Sequence, residues 1–358
     1  MTDSNTLLVT STEEGIGKTA IALALAKSAR EAGREVGYMK PKGTRLQSAV
    51  GKTRDEDPML ARELLELDAE IHEMEPIVYS PTFVQEAIRG REDPTELRER
   101  IVENFEALAE GTDLMVVEGS DRLDTGGIVD LTDADIAEAL DARVLLVCGY
   151  TDAGDTDEVL AAARTLGDRL AGVLFNGVAD AAMDDLTDDV LPFLEGRGVP
   201  VFGSLPRVQE LAGITVEDLS RSLGADVLTN EASTDVHVER FTVGAMGGNT
   251  ALDQFRRTRD AVMVTGGDRS EVQTAALEAS GIKALLLTGG FRPASAVLGR
   301  AEEENVPILL VQSDTRTTID RMEDVLRSGR TRNEQTVERM QALLDDGVDV
   351  TSLLGFDE

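Results

Sequence analysis

The chain has 358 residues, with 68 acidic and 35 basic side chains and a formal net charge of -33. Such a surplus of negative charge repels phosphate backbones and anionic lipid head groups, so we expect neither a nucleic-acid-binding nor a membrane-surface protein. No apolar run approaches the ~20 residues that span a bilayer and the N-terminus lacks a signal peptide, so we expect a cytoplasmic protein.

Apolar runs alternate with helical patterns through the first part of the chain. A short apolar strand at 6–10 precedes an alanine-rich helical pattern at 17–32 and a second strand at 35–39. This alternation predicts right-handed crossovers and a mainly parallel sheet with helices on both faces. The later predicted strands lie at 113–118, 143–149, 171–175 and 199–203, and further helices lie at 55–69 and 94–110.

A polar segment at 223–235 interrupts this pattern, and strands and helices then alternate again. We therefore predict two α/β domains, residues 1–225 and 226–346, followed by a C-terminal tail at 347–358. The second domain is the smaller one. Its predicted strands lie at 241–246, 261–265, 283–288 and 307–311, and its helices at 249–259, 270–280, 294–304, 315–328 and 332–346.

The segment between the first strand and the first long helix ends in Gly-Lys-Thr, as a P-loop does. In a P-loop, backbone N–H groups and the helix N-terminus hold phosphate oxygens; Lys18 would place a charge beside the outer phosphates and Thr19 would ligate Mg²⁺. Thr12 replaces the first glycine of the usual pattern, so a helix-capping turn or a P-loop without nucleotide stays an alternative. The predicted nucleotide-binding residues are Thr12, Glu13, Glu14, Gly15, Ile16, Gly17, Lys18 and Thr19.

Carboxylates and lysines are expected beside this loop. Glu118 ends an apolar strand, whereas Asp57 lies in an acidic run at a helix start, where ordinary helix-terminal charge is the alternative. Lys40 follows the second strand directly, at the carboxyl edge where α/β proteins bind ligands.

The chain has only six lysines against 29 arginines, many acids and 3% aromatic residues, which is typical of a halophilic protein in a salt-rich cytoplasm. High salt screens the repulsion among the acidic side chains, and we expect the few lysines to have specific roles.

Four segments together resemble a known family. The loop at 11–19, the motif at 36–41, the strand end at 116–119 and the motif at 172–176 resemble dethiobiotin synthetase and related ATP-dependent amidoligases. The resemblance implies a P-loop NTPase-type fold with ATP and Mg²⁺ as cofactors. A glutamate stands at the position of Gly15 in the true synthetases, so this chain departs from the ligase pattern there.

The same resemblance assigns roles to individual side chains. Lys18 and Thr19 would hold phosphate and Mg²⁺, and Lys40 would face phosphate and substrate, which makes the two lysines the predicted catalytic residues. The predicted metal ligands are Thr19, Asp57 and Glu118, and the predicted adenine contacts are Asn176 and Pro206.

The second half resembles the DRTGG domain through its motifs at 264–270 and 287–293, with 243–246 before them and 314–315 after. A synthetase-like domain followed by DRTGG is the order found in the N-terminal regulatory half of long phosphate acetyltransferases, and the resemblance covers roughly residues 5–345. The chain ends at Glu358, before the catalytic domain of those enzymes, so we expect no acetyl transfer by this chain alone.

Three arginines follow strands of the second domain, namely Arg269, Arg292 and Arg316. Parallel strands would bring them to one edge, over glycine loops with open N–H groups, which suits a phosphate or carboxylate ligand as a second anion site. The alternative is that Thr-Gly-Gly makes tight turns and the arginines pair with Asp268 or Asp314, within the chain or across a dimer interface.

We therefore predict a Mg-ATP-binding regulatory or assembly protein of acetyl-phosphate and acetyl-CoA metabolism. Its expected partners are the nucleotide, an acetyltransferase or acyl-CoA synthetase subunit, and further copies of the chain joined through the DRTGG domain. The alternative is an ATP-dependent carboxylate–amine ligase, similar to dethiobiotin synthetase or cobyrinate amidase, or a weak ATPase, with Lys18, Lys40 and Mg²⁺ stabilising the transferring phosphate. A P-loop relic that serves only as a dimer scaffold is the third hypothesis.

Overall fold

The computed structural model describes residues 5–44, 46–49, 52–244, 248–328 and 334–356. It divides into two compact units. The first comprises Met1–Val208 and Thr331–Glu358, and the second comprises Gln209–Arg330. The second unit is therefore an insertion in the first. Ala245 and Met246 of the motif at 243–246 lie outside the described residues.

The first unit begins with alternating strands and helices, as the sequence predicts. Its strands are β1 Asn5–Ser11, β2 Val36–Met39, β3 Lys42–Gly43, β4 Leu46–Ala49, β5 Lys52–Asp55, β6 Ile77–Val78, β7 Leu114–Glu118, β8 Arg143–Cys148, β9 Leu170–Val178 and β10 Val201–Pro206. Its helices up to residue 208 are α1 Lys18–Glu31, α2 Asp57–Leu64, α3 Ile71–Met74, α4 Pro81–Ile88, α5 Pro94–Ala109, α6 Asp133–Ala139, α7 Thr156–Leu166, α8 Asp180–Asp185 and α9 Leu191–Gly196.

Six of these strands form one parallel sheet in the order β10-β9-β8-β1-β7-β2. Strands β7 and β8 are almost entirely apolar and buried, as expected where helices cover both faces of a parallel sheet. β1 lies between them, with Val9 opposite Glu118 of β7. The loop that follows β1 therefore leaves from the middle of the sheet, beside the end of β7. The predicted fold class is confirmed.

The second unit contains a smaller sheet in the order β12-β17-β16-β15-β14, parallel except for the pairing of β12 with β17. Its apolar core packs on both faces of that sheet. The strands are β11 Ile214–Thr215, β12 Asp226–Val227, β13 His237–Val238, β14 Arg240–Val243, β15 Ala261–Gly266, β16 Ile282–Thr288 and β17 Ile308–Leu310. The helices are α10 Gln209–Ala212, α11 Val216–Leu223, α12 Gly248–Phe255, α13 Ser270–Leu277, α14 Ser295–Glu303 and α15 Thr315–Ser328.

The last two helices, α16 Glu334–Gly347 and α17 Val350–Leu354, return to the first unit. This differs from the predicted boundaries, which placed 332–346 in the second domain and 209–225 in the first. The physical reason is the partner of each apolar face. α16 buries Val337, Met340 and Leu344 where it packs on α1, whereas α11 packs into the core of the second sheet.

No helix within the described ranges combines the length and the apolar character needed to cross a bilayer.

Candidate functional site

The loop between β1 and α1 has the backbone of an anion site. Gly15 and Gly17 adopt φ values of +71° and +87°, in the left-handed region that favours glycine. A Cβ atom at Gly17 would lie 2.7 Å from Nδ2 of Asn176, so a larger residue would collide there. The N-terminus of α1 has no side-chain cap and no acidic residue in its first turn. Its N–H groups are thus left for a bound anion.

Lys18 lies at the start of α1 and is held across the loop. Its Nζ atom donates hydrogen bonds to Oγ of Ser11, at 3.1 Å, and to the carbonyl of Asp121, at 3.4 Å. Burial lowers the pKa of this lysine, because desolvation disfavours the charged form. Close by, the buried hydroxyl of Ser120 has no hydrogen-bond partner among the described residues. A bound oxyanion would give the Ser120 hydroxyl a partner.

Thr19 meets the two predicted metal-binding carboxylates. Its hydroxyl donates to Oε1 of Glu118, at 2.6 Å, and lies 3.4 Å from Oδ2 of Asp57. Tyr38, which the sequence analysis did not single out, donates its hydroxyl to Oε2 of Glu118 at 2.6 Å. The pairing of β7 with β1 and β2 brings these side chains together.

Lys40 lies among three carboxylates and is 2% exposed. Its Nζ atom is 2.9 Å from Asp55 and 3.6 Å from Glu118, and it also contacts Asp57. Burial alone would lower the pKa of Lys40, but the carboxylates raise it well above its usual value. Burial in turn raises the pKa of Glu118 and of Asp55. Lys40 is therefore the counter-ion of a buried acidic cluster.

The oxygens around Thr19 are of the kind that Mg²⁺ prefers. Within the described ranges, no group of three or more His, Cys, Asp or Glu side chains is arranged to hold a metal by itself. The Thr19 hydroxyl and the carboxylates of Asp57 and Glu118 fit a cation whose remaining ligands come from elsewhere, such as a nucleotide phosphate.

A cavity of about 600 Å³ opens on the other side of the loop, beyond the ends of β8, β9 and β10. Asn176 lines it and donates its side-chain amide to the carbonyl of Ile16 at 2.7 Å. Arg207 lines it next to Pro206, which is exposed at the end of β10. The rest of the lining comes from Thr12, Glu13, Ile16, Cys148, Gly149, Tyr150, Thr151, Asp155, Glu158, Val159, Gly177, Ala179, Ala181 and Ala182.

Two carboxylates of the loop differ in their surroundings. The side chain of Glu13 lies across Gly149, whose N–H donates to it, and burial together with Asp155 and Glu158 raises the pKa of Glu13. Glu14 is exposed. The first unit thus brings the predicted nucleotide, metal and lysine residues to one edge of one sheet, with Asn176 lining the cavity and Pro206 next to the lining residue Arg207.

A family model described as AAA domain matches residues 5–215, which is more than half of the chain. The chain belongs to this AAA domain family. A second model, the DRTGG domain, matches residues 218–325. The predicted P-loop and DRTGG modules are confirmed, and the AAA domain contains the nucleotide-binding P-loop.

Curated relatives match the AAA domain alone or both domains. Phosphate acetyltransferase of Haemophilus influenzae is 27% identical over 347 residues, covering 87% of this chain and 47% of that enzyme. The ATP-dependent dethiobiotin synthetase BioD of Pseudomonas aeruginosa is 31% identical over 208 residues, covering 56% of this chain and 90% of the synthetase. The chain spans about half the length of the phosphate acetyltransferases it matches. Among solved structures, MinD of Aquifex aeolicus matches 58% of this chain and 84% of its own, with a TM-score of 0.36 and 16% identity.

The glycine loops of the DRTGG domain differ from the prediction that their N–H groups are open. The N–H of Gly267 donates to Thr288, that of Gly289 to Ser313 and that of Gly290 to Val311, all at backbone carbonyls. These bonds join neighbouring loops at the sheet edge and occupy three of the N–H groups that an anion would use. The structure therefore favours the tight-turn alternative for these loops.

Among the described residues, neither Arg292 nor Arg316 forms the predicted pair with Asp268 or Asp314. Arg269 donates to the carbonyl of Gly244. Arg292 and Arg316 are exposed, and the ion pairs of the described residues include neither of them. The carboxylate of Asp314 accepts from the N–H groups of Arg316 and Thr317 instead, so it caps α15. The second anion site stays a prediction, without a built cradle in the structure.

Proposed function

We propose that this protein binds Mg-ATP in its AAA domain and uses it as a regulatory or assembly signal. The phosphates would lie at the N-terminus of α1, where the helix has no side-chain cap and Lys18 is held nearby. The base would enter the cavity of about 600 Å³ beside Asn176 and Pro206. A cavity of that size beside an anion site suits a nucleotide.

Mg²⁺ would be held by Thr19, Asp57 and Glu118, with the nucleotide phosphates completing its ligands. Bound there, the ion would neutralise charge on the outer phosphates. The chain's own residues do the rest: Lys18 binds a phosphate oxygen, Asn176 keeps its bond to the loop, and Lys40 balances the carboxylates that surround the metal position.

The burial of Lys40 is the observation that favours a regulator over a ligase. A ligase needs groups beside the terminal phosphate that face a carboxylate or amine substrate. Here Lys40 is occupied by Asp55, Asp57 and Glu118. Lys42, 1% exposed, is likewise occupied by Asp133 at 3.3 Å and by two backbone carbonyls. Both lysines are paired within the chain, which supports a regulator.

The ligase stays the second candidate, because dethiobiotin synthetase is 31% identical to the AAA region. In that reading, ATP would phosphorylate a carboxylate or carbamate, and Lys18 and Lys40 would stabilise the transferring phosphate.

The relatives also support a place beside acetyl-phosphate and acetyl-CoA metabolism, since phosphate acetyltransferases match both domains. We propose an acetyltransferase or an acyl-CoA synthetase subunit as the protein partner, self-association through the DRTGG domain, and a cytoplasmic location.

The deciding experiment is calorimetry of ATP binding to the full chain, with and without Mg²⁺, in molar KCl, followed by assays for ADP and phosphate in the same sample. Binding without turnover is expected. Lys18→Ala should abolish binding, because it removes the charge beside the phosphates, while Lys283→Ala in the DRTGG domain should bind normally. Turnover stimulated by a carboxylate or diamine would support the ligase, and an absence of wild-type binding would support the scaffold hypothesis.

A further inference from the structure

Helix α16 lies outside both matched domains, which end at residues 215 and 325. It nevertheless belongs to the compact unit of the P-loop. Three of its apolar side chains are buried there, with Val337 and Leu344 at 0% exposure and Met340 at 1%. A helix that follows the DRTGG region in the chain is thus part of the structure that contains the nucleotide site.

The partner of α16 is α1, the helix that begins at the P-loop. Polar contacts flank the apolar face. Lys27 of α1 lies 3.3 Å from Glu338, and Gln341 donates to Glu31 at 2.6 Å. α1 is itself buried along most of its length, from Lys18 to Ala29. α16 therefore covers the side of α1 that would otherwise face water.

The contact reaches the loop itself. The Cε atom of Met340 lies 3.9 Å from the position that a Cβ would take at Gly17, and Asn176 approaches the same point from the cavity side. Gly347, at the end of α16, packs against β10: a Cβ there would lie 3.3 Å from Leu205. α16 therefore spans from the P-loop glycine to the strand whose end borders the cavity.

Two segments of the first unit flank the second unit in the sequence. The chain enters residues 209–330 after Arg207, which lines the cavity, and on its return forms α16. A change that loosens α16 would thus act on α1, Gly17 and the end of β10 together.

We propose that α16 is a positioning element of the nucleotide site, with Met340 as its positioning residue for the P-loop. The inference rests on the proposed nucleotide binding and extends it to a segment that neither domain model covers. Docked α16 holds Gly17 and the start of α1 in the arrangement that binds phosphate. Nucleotide binding and α16 docking then favour each other by the same factor, as linkage requires.

The charges on the two helices make this docking sensitive to salt. The ion pair described between the two helices is Lys27–Glu338, and the carboxylate of Glu31 lies near that of Asp345. High salt screens the Lys27–Glu338 attraction, so we expect a change of charge at Lys27 to affect docking and nucleotide affinity most at low salt.

The first test compares ATP affinity of the full chain with Met340→Ala, Met340→Leu and Ile101→Ala. Ile101 of α5 is a matched buried control, because it packs in the apolar cluster of Met115 and Phe105. Met340→Ala should raise the Kd for ATP about fivefold or more, within the usual range of coupling between sites. Met340→Leu should keep most of the wild-type affinity for ATP. Ile101→Ala should leave the affinity of the folded protein for ATP unchanged.

A surface variant avoids the risk that Met340→Ala unfolds the chain. Lys27→Glu should weaken ATP binding at low salt and much less in molar KCl, and Lys27→Glu with Glu338→Lys should recover it. Hydrogen exchange supplies a readout independent of affinity: saturating ATP should slow exchange in residues 334–347 of the wild type.

The outcomes distinguish a failure of this inference from a failure of the proposed nucleotide binding on which it rests. If the wild type binds no ATP, the proposed function fails. If the wild type binds ATP but Met340→Ala and Lys27→Glu bind equally well, and ATP leaves exchange in α16 unchanged, the inference is overturned while the function stands.

Discussion

At the carboxyl edge of each large sheet, strands end in small-residue loops beside cationic side chains. The two edges differ in which polar groups lack a hydrogen-bond partner among the described residues. In the AAA domain, the N-terminus of α1 and the hydroxyl of Ser120 are donors without a side-chain or described partner. In the DRTGG domain, the N–H groups of Gly267, Gly289 and Gly290 are bonded, and the buried side-chain atom without a partner among the described residues is Oε1 of Gln273, an acceptor. The described groups favour an anion at the first edge, so two sheet edges of similar topology differ in their suitability for a ligand.

Gly17 and Gly289, both in the left-handed region, give the largest expected contrast. Gly17→Ala should reduce ATP affinity more than about tenfold, because the new Cβ would lie 2.7 Å from Asn176 and displace the loop. Gly289→Ala meets only Phe291, at 3.5 Å, and should cost about 1–2 kcal/mol of stability through backbone strain without affecting ATP. Calorimetry and thermal unfolding of both variants would measure this; equal ATP binding by both would contradict it.

Glu118 and Asp314 should respond to pH in opposite directions. Burial raises the pKa of Glu118 above its ordinary 4.5, so the native state binds the proton more readily and stability falls as pH rises through that range. Hydrogen bonds from Thr317 lower the pKa of Asp314 below 3.8, so its contribution is present above that pH and is lost as pH falls.

Thermal unfolding of Glu118→Gln and Asp314→Asn between about pH 3 and pH 7 would measure this difference. Glu118→Gln should flatten the fall in stability with rising pH, whereas Asp314→Asn should lose stability mainly near neutral pH. Glu118→Gln should also remove most of the effect of Mg²⁺ on ATP affinity, and Asp314→Asn should leave that effect intact. Parallel pH profiles for the two variants would show that the surroundings of the carboxylates were wrongly assigned.

The smallest effect is expected at the exposed arginines of the DRTGG domain. Arg292→Ala and Arg316→Ala should each change stability by less than about 0.5 kcal/mol, because neither side chain takes part in a described ion pair. Titration with inorganic phosphate would sharpen the contrast: saturable binding that both variants abolish would revive the second anion site.

Local sequence patterns predicted those parts of the site that are formed by residues close together in the sequence. The apolar run before Glu118 and the Gly-Lys-Thr after β1 gave the correct strand, loop and helix, and the parallel sheet then brought Thr19 to Glu118. The burial of Lys40 could not be predicted in the same way. Lys40 is buried because the chain between β2 and α2 brings Asp55 and Asp57 back to the end of β7. No periodic pattern in the sequence indicates that course of the chain.

The return of α16 to the first unit was missed for a related reason. Its apolar face, Val337, Met340 and Leu344, has the same spacing whichever core it enters. The sequence shows that the helix has a buried side, but the complementary surface is on α1, about 300 positions earlier. Sequence adjacency to the DRTGG motifs favoured the wrong partner.

The insertion of residues 209–330 also fixes an order of events during synthesis. Domains usually fold as they leave the ribosome, the N-terminal one first. Here the strands of the P-loop unit emerge early, yet the helix that covers α1 is made only after the whole second unit. The nascent chain must therefore keep an apolar flank of α1 exposed for more than a hundred residues of elongation, and the second unit is the first one able to complete its core.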